Sequence, residues 1–120
     1  MGGVSIVAKR LKEARRRAGI SQKQLGIKAG IDEFSASPRI NQYERGKHMP
    51  GLRTLTRLAA VMQVPVAYFY CDDAELADVI VKFSLLGETQ RRRLLGWIDR
   101  LQRGNQASTR TGRANTRISI

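Results

Sequence analysis

Residues 37–48 run Ser-Pro-Arg-Ile-Asn-Gln-Tyr-Glu-Arg-Gly-Lys-His and concentrate amide, guanidinium and ammonium side chains in one short stretch. An amide carries a donor and an acceptor side by side, so Asn41 and Gln42 can each form paired hydrogen bonds with an adenine edge. Arg39 offers a planar fork that suits guanine or a phosphate, and the sequence does not choose between them. Arg45, Lys47 and His48 follow directly and suit phosphate oxygens. His48 as a metal ligand is disfavoured, because the chain has no second histidine and its one cysteine, Cys71, is distant. No paired carboxylates, nucleophile with a base, metal spacing or glycine-rich phosphate loop stands out, so the chemistry on offer is recognition, with no enzyme, metal or cofactor expected.

These side chains need elements to hold them. Ser21 and Gln24 have the spacing of a reciprocal capping box, which starts a helix that runs to about Ala29 and stops at Gly30. Ser37-Pro38 reads as a second start, serine capping and proline in the first helical position, for a helix that ends at Gly46. Two short helices joined by a turn place the second in the DNA major groove. Ahead of them, Val7, Leu11, Ala14 and Ala18 recur at helical spacing over Ile6–Ala18, with Lys9, Lys12, Arg16 and Arg17 on the other face. A helix after Pro50-Gly51 places Leu52, Leu55, Leu58, Ala59 and Met62 on one side, and Val66–Tyr70 forms a short apolar turn that closes the core. Asp72-Asp73 suits a further helix start, and Glu88–Arg103 reads as the last helix. From Gly104 the composition turns to Gly, Asn, Ser, Thr and Arg, expected as a disordered basic tail. Strand-like alternation is absent, so the expected class is all-α. The expected divisions are 1–71, 72–103 and 104–120.

The formal charge is +12 over 120 residues, and residues 1–53 carry +8 of it, in the half that holds the two short helices. That bias suits a phosphate-facing surface. A single cysteine fits a reducing cytoplasm, and Met1–Ala8 does not read as a secretory leader. The longest uncharged run, Leu58–Tyr70, holds Gln63 and Pro65 and is too short to span a bilayer. A cytoplasmic protein without membrane contact is expected.

Arg10–Tyr70 resembles the lambda-repressor-like (Cro-type, xenobiotic-response-element) helix-turn-helix family of bacterial and phage regulators. The resemblance rests on Arg10-Leu11, Arg15, Ser21-Gln22-x-x-Leu25, Ala29-Gly30-Ile31, Ile40-x-x-Tyr43-Glu44-x-Gly46, Pro50 and Leu55-x-x-Leu58-Ala59. It implies a five-helix domain followed here by a two-helix extension. It assigns Gln22 to phosphate, Asn41 and Gln42 to base edges, and Arg15 with Glu44 to a structural ion pair; the neighbouring Lys23 is also expected at phosphate. Two departures stand out. Gly26 occupies a position where the family usually has alanine, and the turn before Ile40 carries about four extra residues. Asp32–Pro38 is therefore expected to be an ordered bulge, with Phe34 folded back on the core and Ser35 and Ser37 at the groove edge, Ser37 available to a base.

The expected function is that of a transcriptional regulator, a dimeric repressor on a double-stranded operator. Leu76, Ile80, Phe83, Leu94, Ile98 and Leu101 would form the homodimer interface. The alternative for that stripe is packing against the first four helices. The alternative for the whole chain is an antitoxin or adaptor whose C-terminal helices bind a partner protein, with DNA binding kept for autoregulation.

Overall fold

Seven helices follow one another among the described residues, with no strand between them: α1 (Gly3–Ala18), α2 (Gln22–Lys28), α3 (Glu33–Glu44), α4 (Leu52–Met62), α5 (Val66–Phe69), α6 (Ala74–Ser84) and α7 (Glu88–Thr109). The computed structural model describes the backbone of residues 3–109 and the side chains of residues 6–106. The chain divides into two compact units, residues 1–84 and 85–120. The all-α class holds; the expected two-helix extension is divided, α6 falling in the first unit with α1–α5 and α7 in the second.

The first unit is built around one core. Val7, Leu11 and Ala14 line the inner face of α1, and they meet Leu25 of α2, Ile40 and Tyr43 of α3, Leu55, Leu58 and Met62 of α4, and Tyr68 and Phe69 of α5. Leu11, Leu25, Ile40, Leu55 and Leu58 are fully buried, so cutting any one of the leucines to alanine should cost about 2–5 kcal/mol. Helix α6 joins this core through Ala77 and Val81 and packs on α5. Its start follows from Asp73, whose Oδ1 accepts the backbone N–H groups of Glu75 and Leu76 at 2.9 and 3.1 Å.

Among the described residues Arg10 is the one charged residue buried as a whole. It is only 2% exposed, and each of its three side-chain nitrogens donates a hydrogen bond. Its Nε donates to the Cys71 carbonyl at 2.8 Å, Nη2 to the Asp72 carbonyl at 2.9 Å and Nη1 to Glu13 Oε1 at 2.9 Å. These bonds fasten the α5–α6 connection to α1 and satisfy the buried cation.

Three expectations need correcting. The third helix does not begin at Ser37-Pro38: α3 starts at Glu33, Asp32 is its N-cap and Pro38 lies inside it. The residues expected as a bulged turn are instead an extra turn of helix. Phe34 does not fold back on the core; it is 84% exposed. Finally, Gly104 does not end the last helix, which continues to Thr109; the tail expected to be disordered lies, from residue 110 onward, outside the described residues.

In the second unit α7 opens with Gly87, whose N–H donates to Gln90 Oε1 at 3.1 Å. Leu95, Trp97, Ile98 and Leu101 are exposed along it, and Leu94 is half-buried. In the first unit Leu76 is exposed, Phe83 is half-buried, and Ile80 packs partly against the core.

Candidate nucleic-acid interface

Helices α2 and α3 pack on each other more extensively than any other pair of elements, and their ends explain why. Ser21 Oγ accepts from the Gln24 N–H at 3.0 Å while Gln24 Oε1 accepts from the Ser21 N–H at 2.9 Å, closing the capping box. At the other end Gly30 adopts φ +93°, a conformation that side chains with a Cβ rarely take. The N–H groups of Gly30 and Ile31 turn back onto the carbonyls of Ile27 and Gly26 at 3.0 and 2.9 Å. Two residues later Asp32 Oδ2 accepts the Phe34 N–H at 2.9 Å and α3 begins. The helices then approach so closely that a Cβ on Gly26 would lie 2.7 Å from Ala36 Cβ and 2.9 Å from Ala36 Cα.

The register of α3 sorts its side chains. Ala36, Ile40 and Tyr43 point inward and are buried. Phe34, Pro38 and Gln42 recur at i, i+4 and i+8 on the opposite side, and all three are exposed, as is Arg39 on the flank. Ser35, Ser37 and Asn41 are half-buried. Arg39, Gln42, Tyr43, His48 and Met49 line one shallow hollow of about 370 Å³. Beyond Arg45 the chain is held by the Gly46 N–H on the Tyr43 carbonyl at 3.1 Å and the Lys47 N–H on the Gln42 carbonyl at 2.9 Å. That closure sets Lys47 and His48, both exposed, just past the end of α3. Lys23 is exposed at the start of α2.

A polar network braces this pair of helices against α1. Glu44 takes Arg15 in a two-pronged pair, Nε to Oε2 at 2.6 Å and Nη2 to Oε1 at 3.1 Å. The two side chains are 14% and 3% exposed. Arg15 Nη1 also donates to the Ile20 carbonyl at 3.0 Å. Gln22 Nε2 donates to Glu44 Oε1 at 3.1 Å and to Asn41 Oδ1 at 3.2 Å. A carboxylate only accepts, so the Gln22 amide must turn its nitrogen towards Glu44, and both of its hydrogens are engaged. A phosphate contact through that amide requires one of these bonds to be exchanged. Asn41 likewise has its oxygen engaged, whereas no protein partner holds the Gln42 amide among the hydrogen bonds that build this network.

Arg17 lies over the Tyr68 ring, 5.6 Å from its centroid, and Arg10 lies 5.9 Å from it. Burial pushes the Tyr68 phenol above its usual range, while the Arg17 guanidinium pulls the other way. Sequence reasoning missed two features of this unit. Arg10 interrupts the apolar stripe of α1, between Val7 and Ala14, and a lone arginine there signals a buried clamp. Asp32-x-Phe34 offers a helix start as sound as Ser37-Pro38. No group of three or more His, Cys, Asp or Glu side chains suited to a metal ion occurs among the described residues, and none of their helices is long and apolar enough to cross a membrane.

The sequence profile of the helix-turn-helix family matches residues 11–69, from the middle of α1 to the end of α5. An uncharacterized HTH-type transcriptional regulator of Sinorhizobium medicae (strain WSM419) is 32% identical over 66 residues, which cover 55% of this chain and 45% of the relative. A second such regulator, of Rhizobium meliloti (strain 1021), matches to the same extent. The chain thus spans about half the length of these curated relatives. The crystal structure of the transcriptional regulator BswR superposes with a TM-score of 0.74 at 54% identity, covering 78% of this chain and 92% of that one. With that similarity extending over most of both chains, and with the helix pair and its capping in place, the protein belongs to the helix-turn-helix family of DNA-binding transcriptional regulators.

Proposed function

We propose that this regulator is a cytoplasmic dimeric repressor that sets α3 into the major groove of each half of a two-fold operator. The observation that carries the reading is the outward face of α3, where Gln42 and Arg39 are exposed together beside Lys47 and His48. Gln42 reads an adenine edge, Arg39 a guanine or the adjoining phosphate, and Asn41 and Ser37 take supporting positions at the groove edge. Lys23, Arg45, Lys47 and His48 hold the backbone, which positions the protein without selecting sequence. Gln22 acts first as a strut between α2 and α3 and reaches phosphate by giving up its bond to Asn41.

A single helix of this length covers few base pairs, so two half-sites about one helical turn apart are expected. The side chains assigned to the dimer are Leu76, Ile80, Phe83, Leu94, Ile98 and Leu101. The line Leu94, Ile98 and Leu101 on α7, joined by Trp97, is the strongest part of that assignment, because Ile80 is already committed in part to the core.

Footprinting on the DNA upstream of the protein's own gene tests the function, with Gln42→Ala as the probe. The variant should lose about 1–3 kcal/mol on the preferred site and relax preference at one base pair, with random DNA bound as before. An equal loss on random DNA would make Gln42 a phosphate contact and remove the readout. Sedimentation of the intact chain tests the dimer: a monomer at micromolar concentration removes it, and a stable complex only with a second protein favours the antitoxin or adaptor reading.

A further inference from the structure

Phe34 is the most exposed large apolar side chain among the described residues, at 84%. A single exposed apolar residue is ordinary on a protein surface, but this one stands on the first turn of α3 and in line with Pro38 and Gln42. The helix-turn-helix docks with the N-terminal residues of its second helix against base edges. Here that helix begins four residues before Ser37, which adds about 6 Å at the docking end. The backbone that carries the ring is anchored. Its own N–H is bonded to Asp32 Oδ2 at 2.9 Å, and Ala36, two residues on, is pressed against Gly26.

We propose that Phe34 is a specificity residue that reads thymine by seating its ring on the C5-methyl group in the major groove. The proposal rests on the groove reading by α3 given above. Charge places the ring over bases. Asp32 and Glu33, both exposed, immediately precede it, and carboxylates repel phosphates, so with α3 in the groove this turn lies between the strands rather than against either one. Among base edges exposed there, the thymine methyl is the one apolar feature, and phenylalanine is a suitable contact for it. The face of α3 then reads in sequence an apolar contact from Phe34, apolar bulk from Pro38 and an amide pair from Gln42.

The test uses the full chain and a duplex selected from random-sequence DNA, with binding followed by fluorescence anisotropy at one salt concentration. Each thymine is replaced singly by deoxyuridine, which lacks only the methyl. One replacement per half-site should weaken wild-type binding about fourfold, the value of one buried methyl-sized group. Phe34→Ala should bind the original duplex at least that much more weakly and treat thymine and deoxyuridine there alike. Phe34→Leu should restore part of the difference. Gln42→Ala should keep the thymine preference and lose preference at another base pair. If no thymine replacement matters, or if Phe34→Ala still distinguishes the two bases, the inference falls while the Gln42 result upholds α3 in the groove. If both variants leave the selected preference intact, the groove reading falls and takes the inference with it. A shift in the sedimentation of free protein on Phe34→Ala would instead make the ring a protein contact and also overturn the inference.

Discussion

Gly26→Ala sets two effects of known sign against each other. Alanine gains about 1 kcal/mol over glycine in a helix interior, so α2 alone should become more stable. The new Cβ, however, would lie 2.7 Å from Ala36 Cβ, 2.9 Å from Ala36 Cα and 3.1 Å from the Ala36 carbonyl oxygen. Carbon atoms settle at about 3.5–4.0 Å, so the helices must part by close to 1 Å. None of the three opposing atoms belongs to a side chain that can swing aside. Overpacking of this kind costs about 1–3 kcal/mol, which exceeds the helix gain over most of its range and leaves a net loss of up to about 2 kcal/mol. For a unit of this size each lost kcal/mol lowers Tm by about 4–8 °C, well within the reach of calorimetry. Because the first turn of α3 moves with Ala36, affinity for a selected operator should fall more than affinity for random DNA. Adding Ala36→Gly relieves the shortest contact and leaves the next two, so it should recover only part of the loss. A Gly26→Ala protein that melts higher than wild type and binds its operator unchanged would refute the argument, showing that the α2–α3 spacing yields at little cost.

Glu44→Ala removes both contacts of the Arg15 pair and the carboxylate acceptor of Gln22 at a site 3% exposed; a loss of about 3 kcal/mol is expected in urea unfolding, and Glu44→Gln should lose less because it still accepts. Lys47→Ala should weaken binding to all duplexes about equally and flatten the slope of log affinity against log salt by about one unit, measured by anisotropy titrations at several salt concentrations. The raised phenol of Tyr68 contributes stability that is present below the unfolded tyrosine value near pH 10 and is lost as pH climbs through the higher folded value. Wild-type Tm should therefore fall above about pH 10, and Tyr68→Phe should flatten that fall.

Where capping was local, the sequence was a sufficient guide. Ser21 with Gln24, Gly30 after α2, Gly46 after α3 and Asp73 before α6 each act through atoms within a few residues, and each stands where the pattern places it. The start of α3 was not legible in the same way. Asp32 and Ser37 are both competent caps five residues apart, and the choice between them is made by Ala36 meeting Gly26, a contact between helices that no local pattern contains. The fate of Phe34 follows from that choice. Once Ala36, Ile40 and Tyr43 define the inner face, position 34 lies 200° away from position 36 and must point outward. The network around Glu44 shows a similar limit. The resemblance names Arg15 and Glu44, but the capture of the Gln22 amide depends on how three helices converge. The composition from Gly104 onward reads as a tail, yet α7 continues past that glycine by five residues.

Pro38 gives the first turn of α3 a separate mechanical footing. Inside a helix a proline has no N–H to donate to the carbonyl four residues back, here that of Phe34, and its ring crowds that carbonyl. The turn containing Glu33, Phe34 and Ser35 is therefore tied less firmly to the rest of its own helix than an uninterrupted turn would be. What holds it lies elsewhere: the Asp32 cap, with Oδ2 on the Phe34 N–H and its carbonyl on the Ser35 N–H, both at 2.9 Å, and the seat of Ala36 on Gly26. The C-terminal half, with Gln42, is fixed by other means, through Ile40 and Tyr43 in the core and Glu44 on Arg15. The reading helix thus has two independently braced ends. Changes at Asp32, Gly26 or Ala36 should move the Phe34 end and leave Gln42 in place, so base preference at one edge of the operator can vary without disturbing the other.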